Sequence, residues 1–158
     1  MHTQLHVSSL NDTIRLGAAL AEKAKARDCY LLHGDLGAGK TELARAFIRQ
    51  WCKNDTLEVT SPTFNLVQTY QRHHPGKTDE LWHFDLYRIK HAEELQELAL
   101  DEALERGVVI IEWPGHAPES FWPESALHIH MEREGGETAR NVRFSGNAAW
   151  DYVKGIKI

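Results

Sequence analysis

Apolar residues along this chain switch between a two-residue and a three-to-four-residue period, and each switch marks an element. Residues 4–7 alternate as a short strand, and Ser9-Leu-Asn-Asp12 reads as a variant capping box that opens a helix. Ile14, Gly17, Ala18, Ala21 and Ala24 recur at helical spacing and predict that helix's inner face. Residues 29–32 form a brief apolar run ending in a glycine-rich turn. A second helix follows over 40–51, with Leu43, Phe47 and Trp51 four apart as its buried stripe.

Ser61-Pro62 predicts a loop, 63–70 a strand, and the polar, Pro- and Gly-containing stretch 71–79 an exposed hairpin turn or loop. A strand over 81–84 ends at Asp85. A helix over 92–106 carries Leu95, Leu98, Ala99 and Ala103 inward until Gly107 stops it. Val108-Val-Ile-Ile111 is apolar throughout, as a strand covered on both faces must be. Strands over 126–131 and 140–144 joined at Gly135-Gly136, then a short helix near 148–153, complete the chain. The alternation predicts an α/β fold: a single domain over 1–158, with a central mixed sheet flanked by helices and no internal repeat.

The glycine-rich turn carries the chemistry. Gly34, Asp35, Leu36, Gly37, Ala38, Gly39, Lys40 and Thr41 match G-x-x-x-x-G-K-[ST] in full, which makes the expected fold a single P-loop NTPase-like domain. A chance match in a chain this long has a probability of roughly 0.5%, and here a strand precedes the motif and a helix follows it. Glycines let backbone N–H groups turn inward around phosphate oxygens, and the helix beginning near Glu42 offers its N-terminus to the same anion. Lys40 is placed to neutralise the outer phosphates, and the Thr41 hydroxyl to ligate Mg²⁺. Such a loop needs an acid at the end of a neighbouring strand. Asp85 and Glu112 both qualify, and spacing does not say which one touches the metal. Thr60-Ser-Pro-Thr-Phe64 is either a turn or a segment whose hydroxyls sense the γ-phosphate.

Charge narrows the partners. With 18 basic against 23 acidic residues the net charge is -5, and no basic stripe suggests direct, tight contact with a nucleic-acid backbone. No stretch reaches membrane-spanning length, and the N-terminus lacks the plan of a signal peptide, so a cytoplasmic protein is expected. Cys29 and Cys52 read as buried thiols in a reducing compartment. His128 and His130 share a strand face and His73-His74 lie in the polar stretch. Neither pair has a third ligand at a recognisable spacing, so no zinc site is expected.

Four segments taken in order, the loop at 34–41, SPTF at 61–64, HFDLYR at 83–88 and IEWP at 111–114, resemble the TsaE (YjeE) family. The resemblance extends from about residue 5 to 145, and HFDLYR followed by IEWP is its most specific part. Ala99 departs from the pattern, where Gly is expected. The resemblance implies an ATPase, using ATP and Mg²⁺, that supports threonylcarbamoyl modification of tRNA. It would act in complex with the TsaD and TsaB proteins and meet tRNA only through them. It also implies Mg²⁺ at Thr41 and Glu112, with Asp85 required for hydrolysis and Lys40 beside them as a catalytic residue. Asn11, Thr13 and Arg133 become candidates for the adenine pocket, Arg88 for local charge stabilisation, and Trp113 for a lid, a partner contact or plain core. The rival readings are a small P-loop phosphotransferase, such as a nucleotide or metabolite kinase, and a nucleotide-gated binding module.

Guanine readers carry [NT]-K-x-D, and the nearest segment here, Gly76-Lys-Thr-Asp79, has the wrong first residue and precedes a strand. ATP is therefore expected to bind more tightly than GTP in a competition assay. Equal or tighter GTP affinity would reverse that preference.

Overall fold

In the computed structural model, which describes residues 1–158, seven strands form one mixed sheet in the order β1-β7-β6-β2-β5-β4-β3. The elements are β1 (His2–Val7), α1 (Leu10–Lys23), β2 (Cys29–His33), α2 (Lys40–Trp51), β3 (Val67–His74), β4 (Lys77–Asp85), α3 (Glu94–Glu97), α4 (Leu100–Arg106), β5 (Val108–Glu112), β6 (Leu127–Arg133) and β7 (Arg140–Ser145). Short 3₁₀ turns follow β5, and another at Ala148–Gly155 closes the chain.

Strand β2 lies between β5 and β6 and is parallel to both, while β4 is parallel to β5. In register, Leu32 sits opposite Glu112, and Glu112 opposite Asp85. The end of β2 and the two acids therefore arrive at one edge of the sheet. Alternation also puts His83 and Asp85 on the same face as Glu112.

Each face has its own core. Helices α1 and α2 pack on one side over Leu16, Leu20, Phe47, Trp51, Tyr30 and Ile110. Gly17 permits that contact: a Cβ there would lie 2.8 Å from both Ala46 Cβ and the Leu43 carbonyl oxygen. On the other side α3, α4 and the 3₁₀ turns cover Leu31, Phe84, Val109 and Ile111, which is why all five residues of β5 are buried. This second layer stops short of β1, β7 and the outer part of β6.

Several boundaries differ from the sequence reading. In α1 the buried stripe is Thr13, Leu16, Gly17, Leu20 and Ala21, while Ile14 is exposed and Ala24 lies beyond the last turn. Ser9 caps that helix, accepting from the Asp12 backbone N–H at 3.2 Å. Residues 71–79 are mostly paired backbone of the β3–β4 hairpin, whose turn is Pro75-Gly76. The strand expected from 63 begins at Val67, after Leu66 takes a left-handed conformation with φ 65°. Cys29 is buried but Cys52 only partly so, and both are free.

The helix expected over 92–106 is two helices, because Ala99 adopts φ 60° and ψ 39° between them. Leu95 and Leu100 explain the break. On a continuous helix they would point about 140° apart, yet both are buried in the same core. An L-residue held left-handed costs roughly 1–2 kcal/mol, and glycine escapes most of that penalty while losing some backbone entropy. Ala99→Gly should accordingly raise stability, by about 0.5 kcal/mol or a melting-temperature gain of ~1–2 °C. A thermal melt checks this, and a lower melting temperature would mean the break carries no strain.

Candidate functional site

The loop between β2 and α2 wraps a cleft of about 330 Å³ lined by residues 36–42, Ser61, Thr63, Asp85, Tyr87, Glu112, Trp113 and Arg140. Gly37 and Gly39 have φ of 77° and 106°, left-handed conformations that glycine adopts without a steric penalty. Thr41, at the first turn of α2, donates its hydroxyl to Glu112 Oε1 at 2.8 Å. The other Glu112 oxygen is paired with His83 Nε2 at 2.6 Å, and both side chains are almost wholly buried. His83 opens the HFDLYR segment, ahead of the acid that drew attention to it. Its period-2 spacing from Asp85 was the signal that it shares the acid's face.

Asp85 is held differently. Its Oδ2 accepts from the hydroxyls of Ser61 at 3.1 Å and Thr63 at 3.3 Å, and its Oδ1 from the Tyr87 backbone N–H at 3.0 Å. The 60–64 segment is therefore attached to the strand-end acid rather than being an isolated turn. Phe64 leaves that segment pointing outward, 83% exposed, with the Arg88 guanidinium over its ring at 4.9 Å. Arg88 does not line the cleft.

Lys40 folds back on its own loop, donating to the carbonyls of Gly34 and Asp35, with Nζ 4.0 Å from the centre of the Trp113 ring. Burial pushes this ammonium below its ordinary pKa, against the pull of Glu112, Asp35 and Asp85. Trp113 itself sits at φ 59°, left-handed for a bulky residue, and its ring meets Tyr87 at 5.0 Å and His116 at 5.2 Å. Half-buried, it forms a wall of the cleft in contact with the loop lysine, so it is not the plain core residue that was one of its three readings. Strain of this kind is held where surrounding structure over-determines it.

An arginine of the β6–β7 hairpin, at the wall of the same cleft, supports the loop. Arg140, 8% exposed, donates Nε to the Ala38 carbonyl at 2.7 Å and Nη2 to the Gly37 carbonyl at 3.1 Å. Its Nη1 reaches the carbonyls of Glu137 and Ala139. Burial and the nearby Arg133 lower its pKa. Arg133 donates to the Gly37 carbonyl at 3.3 Å and lines a separate hollow of about 340 Å³ with Gly34, Asp35 and Leu36. Asn11 and Thr13 lie at the start of α1, the first exposed and the second buried, and neither lines the cleft. The three candidates for an adenine pocket are thus not gathered around it. Glu42 does line it, paired with Arg45 at 2.6 Å.

A strand, a glycine loop closing on the next helix, and acids at the ends of neighbouring parallel strands define a P-loop NTPase-type fold. The same fold is seen in the crystal structure of YdiB from Bacillus subtilis, with a TM-score of 0.75, 24% identity, and coverage of 98% of this chain and 93% of that one. The model of the TsaE family, described as threonylcarbamoyl adenosine biosynthesis protein TsaE, matches residues 7–142. This chain belongs to the TsaE family. Among relatives named tRNA threonylcarbamoyladenosine biosynthesis protein TsaE, that of Rickettsia conorii is 43% identical over 113 residues. The match covers 72% of this chain and 60% of the Rickettsia protein, so it spans about three fifths of that relative's length. The relative from Mycobacterium tuberculosis is 34% identical over 142 residues, covering 86% of this chain and 82% of its own.

Arg140→Met should leave the Gly37 and Ala38 carbonyls without their charged donor. Losing such bonds costs about 2 kcal/mol, or roughly 4–8 °C in melting temperature. Arg140→Lys should recover only part, because an ammonium cannot reproduce the planar fork. Melts of the two variants against the parent decide this, and an unchanged Arg140→Met would remove the arginine from the support of the loop.

Proposed function

We propose that this protein binds Mg-ATP in the cleft and hydrolyses it slowly, supporting tRNA threonylcarbamoyladenosine formation in complex with TsaB and TsaD. The observation that carries the reading is the meeting of Lys40 and Thr41 with the paired strand-end acids Asp85 and Glu112 inside one cleft. A cytoplasmic location suits that role, and no helix is long and apolar enough to cross a membrane.

The residues suit the ligands. The glycine-rich loop, with left-handed Gly37 and Gly39, and the N-terminus of α2 would offer backbone N–H groups to phosphate oxygens. Thr41 Oγ1 and Glu112 Oε1, 2.8 Å apart, match the ~2.9 Å edge between neighbouring ligands of octahedral Mg²⁺ at 2.0–2.1 Å. A hydroxyl and carboxylates are also the hard oxygen donors that this ion prefers. When bound, Mg²⁺ would draw charge from the outer phosphates. Thr41 and Glu112 would hold it, with His83 fixing the orientation of the Glu112 carboxylate from behind.

Lys40 has a different task. Its present acceptors are two loop carbonyls, and a γ-phosphate is a stronger acceptor for the same ammonium. Moving to it would lift the charge off the Trp113 ring. Asp85 already accepts three hydrogen bonds from the 61–63 segment and the Tyr87 amide. An attacking water beside it would be oriented by the same carboxylate, in competition with the Ser61 and Thr63 hydroxyls. That competition links the γ-phosphate end of the cleft to the segment bearing exposed Phe64. It supplies a route by which nucleotide state alters a surface offered to TsaB and TsaD.

A metabolite or nucleotide kinase would need free arginines to close over its acceptor. The hairpin's three arginines are engaged: Arg133 and Arg140 on loop carbonyls and Arg143 on Glu132 at 2.7 Å. This weighs against the phosphotransferase reading.

Lys40→Ala should lower ATP turnover roughly 100-fold or more, in the range of losing one transition-state donor. Glu112→Ala should abolish the Mg²⁺ dependence of nucleotide binding, while Asp85→Ala should bind normally and fail to turn over. Titrations with and without Mg²⁺ plus single-turnover assays separate the two, and the reverse pattern would exchange their roles. In a reconstituted modification reaction with TsaB, TsaD and tRNA, leaving out this protein should stop repeated turnover. Undiminished modification in its absence would overturn the proposed function.

A further inference from the structure

The far face of the sheet gathers three histidines that the nucleotide chemistry does not use. His33, the last residue of β2, pairs in register with His130 of β6, and His128 stands two residues before it on the same face. Alternation puts all three on the side opposite Leu32, and so opposite Glu112 and the cleft. One potential ligand nitrogen from each ring lies within 4.8 Å of the other two. His33 Nε2 and His128 Nδ1 are 3.0 Å apart, and the His33 and His130 rings stack at 4.2 Å. All three are only half-buried, because α3 and α4 do not reach this part of the sheet.

We infer that His33, His128 and His130 form a binding site for a divalent transition-metal ion of the zinc class. Tetrahedral zinc holds imidazole nitrogens at ~2.0–2.1 Å, which puts any two of them ~3.3 Å apart. The His33–His128 pair, hydrogen-bonded at 3.0 Å, is close to that spacing and takes it up when the two rings turn their lone pairs to a common ion. The stacked pair reaches it when the His33 and His130 rings tilt so that their in-plane lone pairs converge. A neutral imidazole offers one in-plane lone pair to such an ion. No carboxylate belongs to the cluster, and three nitrogen donors select against Mg²⁺, which takes oxygen. A fourth position remains open to water. Because His33 directly precedes Gly34, an ion here would clip β2 to β6 at the root of the phosphate loop.

The test uses the tag-free full-length chain, titrated with Zn²⁺ by calorimetry in excess Mg²⁺, and with Co²⁺ by visible absorption. The expected result is one ion per chain, with cobalt bands of a four- or five-coordinate nitrogen site. Replacing both His128 and His130 by Gln should weaken affinity at least ~10-fold, whereas changing His73 and His74 to Gln should leave it intact. Imidazole ¹⁵N signals of the unaltered chain read the site without any substitution, and exactly three rings should shift on adding Zn²⁺. Overturning results are the absence of saturable uptake, shifts confined to other histidines, or equal zinc affinity in a folded His128→Gln/His130→Gln variant.

Discussion

A carboxylate taken almost completely out of water must be supplied with donors, and Glu112 is the group on which the site's geometry turns. Leaving such a charge unpaired costs several kcal/mol, so the fold around it is constrained from both sides. Thr41 approaches from the first turn of α2 and His83 from the adjacent strand. Those two contacts fix where the helix after the loop begins relative to the end of β5. They also fix the distance from the loop to Asp85, because Asp85 lies directly opposite Glu112 in the sheet.

The loop itself presents a second problem of satisfaction. Four of its carbonyls take their donors from side chains. Lys40 takes Gly34 and Asp35, and Arg140 takes Gly37 and Ala38. One donor belongs to the loop and can leave, while the other belongs to the hairpin and is buried. Arg140 is therefore a fixed support of the loop while Lys40 remains exchangeable, a division suited to the move proposed for that lysine.

The uneven cover of the sheet follows from where the chain places its helices. One face is closed along its length by α1 and α2. The other is closed only over β4, β5 and the inner strands, because α3 and α4 together are short and broken at Ala99. The uncovered strip of β6, β7 and β1, with the end of β2, carries polar side chains, the histidine cluster among them. A face without cover tolerates such residues and keeps them accessible to ions.

The phosphate loop, its flanking strand and helix, the fully apolar β5 and both strand-end acids were legible in the linear order of residues. Each depends on local spacing: glycines that must turn, a stripe four residues apart, an apolar run ending in an acid. What the linear order did not contain was pairing across distance. Arg140 reaches its carbonyls from about a hundred residues away, and His83 meets Glu112 only because β4 and β5 are parallel and in register. His128 and His130 lacked a third ligand in sequence, and β2 supplied His33 from the neighbouring strand. The break at Ala99 belongs to the same class, since local propensity favours one helix and only the shared burial of Leu95 and Leu100 divides it. Local periodicity determined which elements form and where the loop chemistry lies. Register, and the need to satisfy every buried polar group, decided which distant side chains complete it.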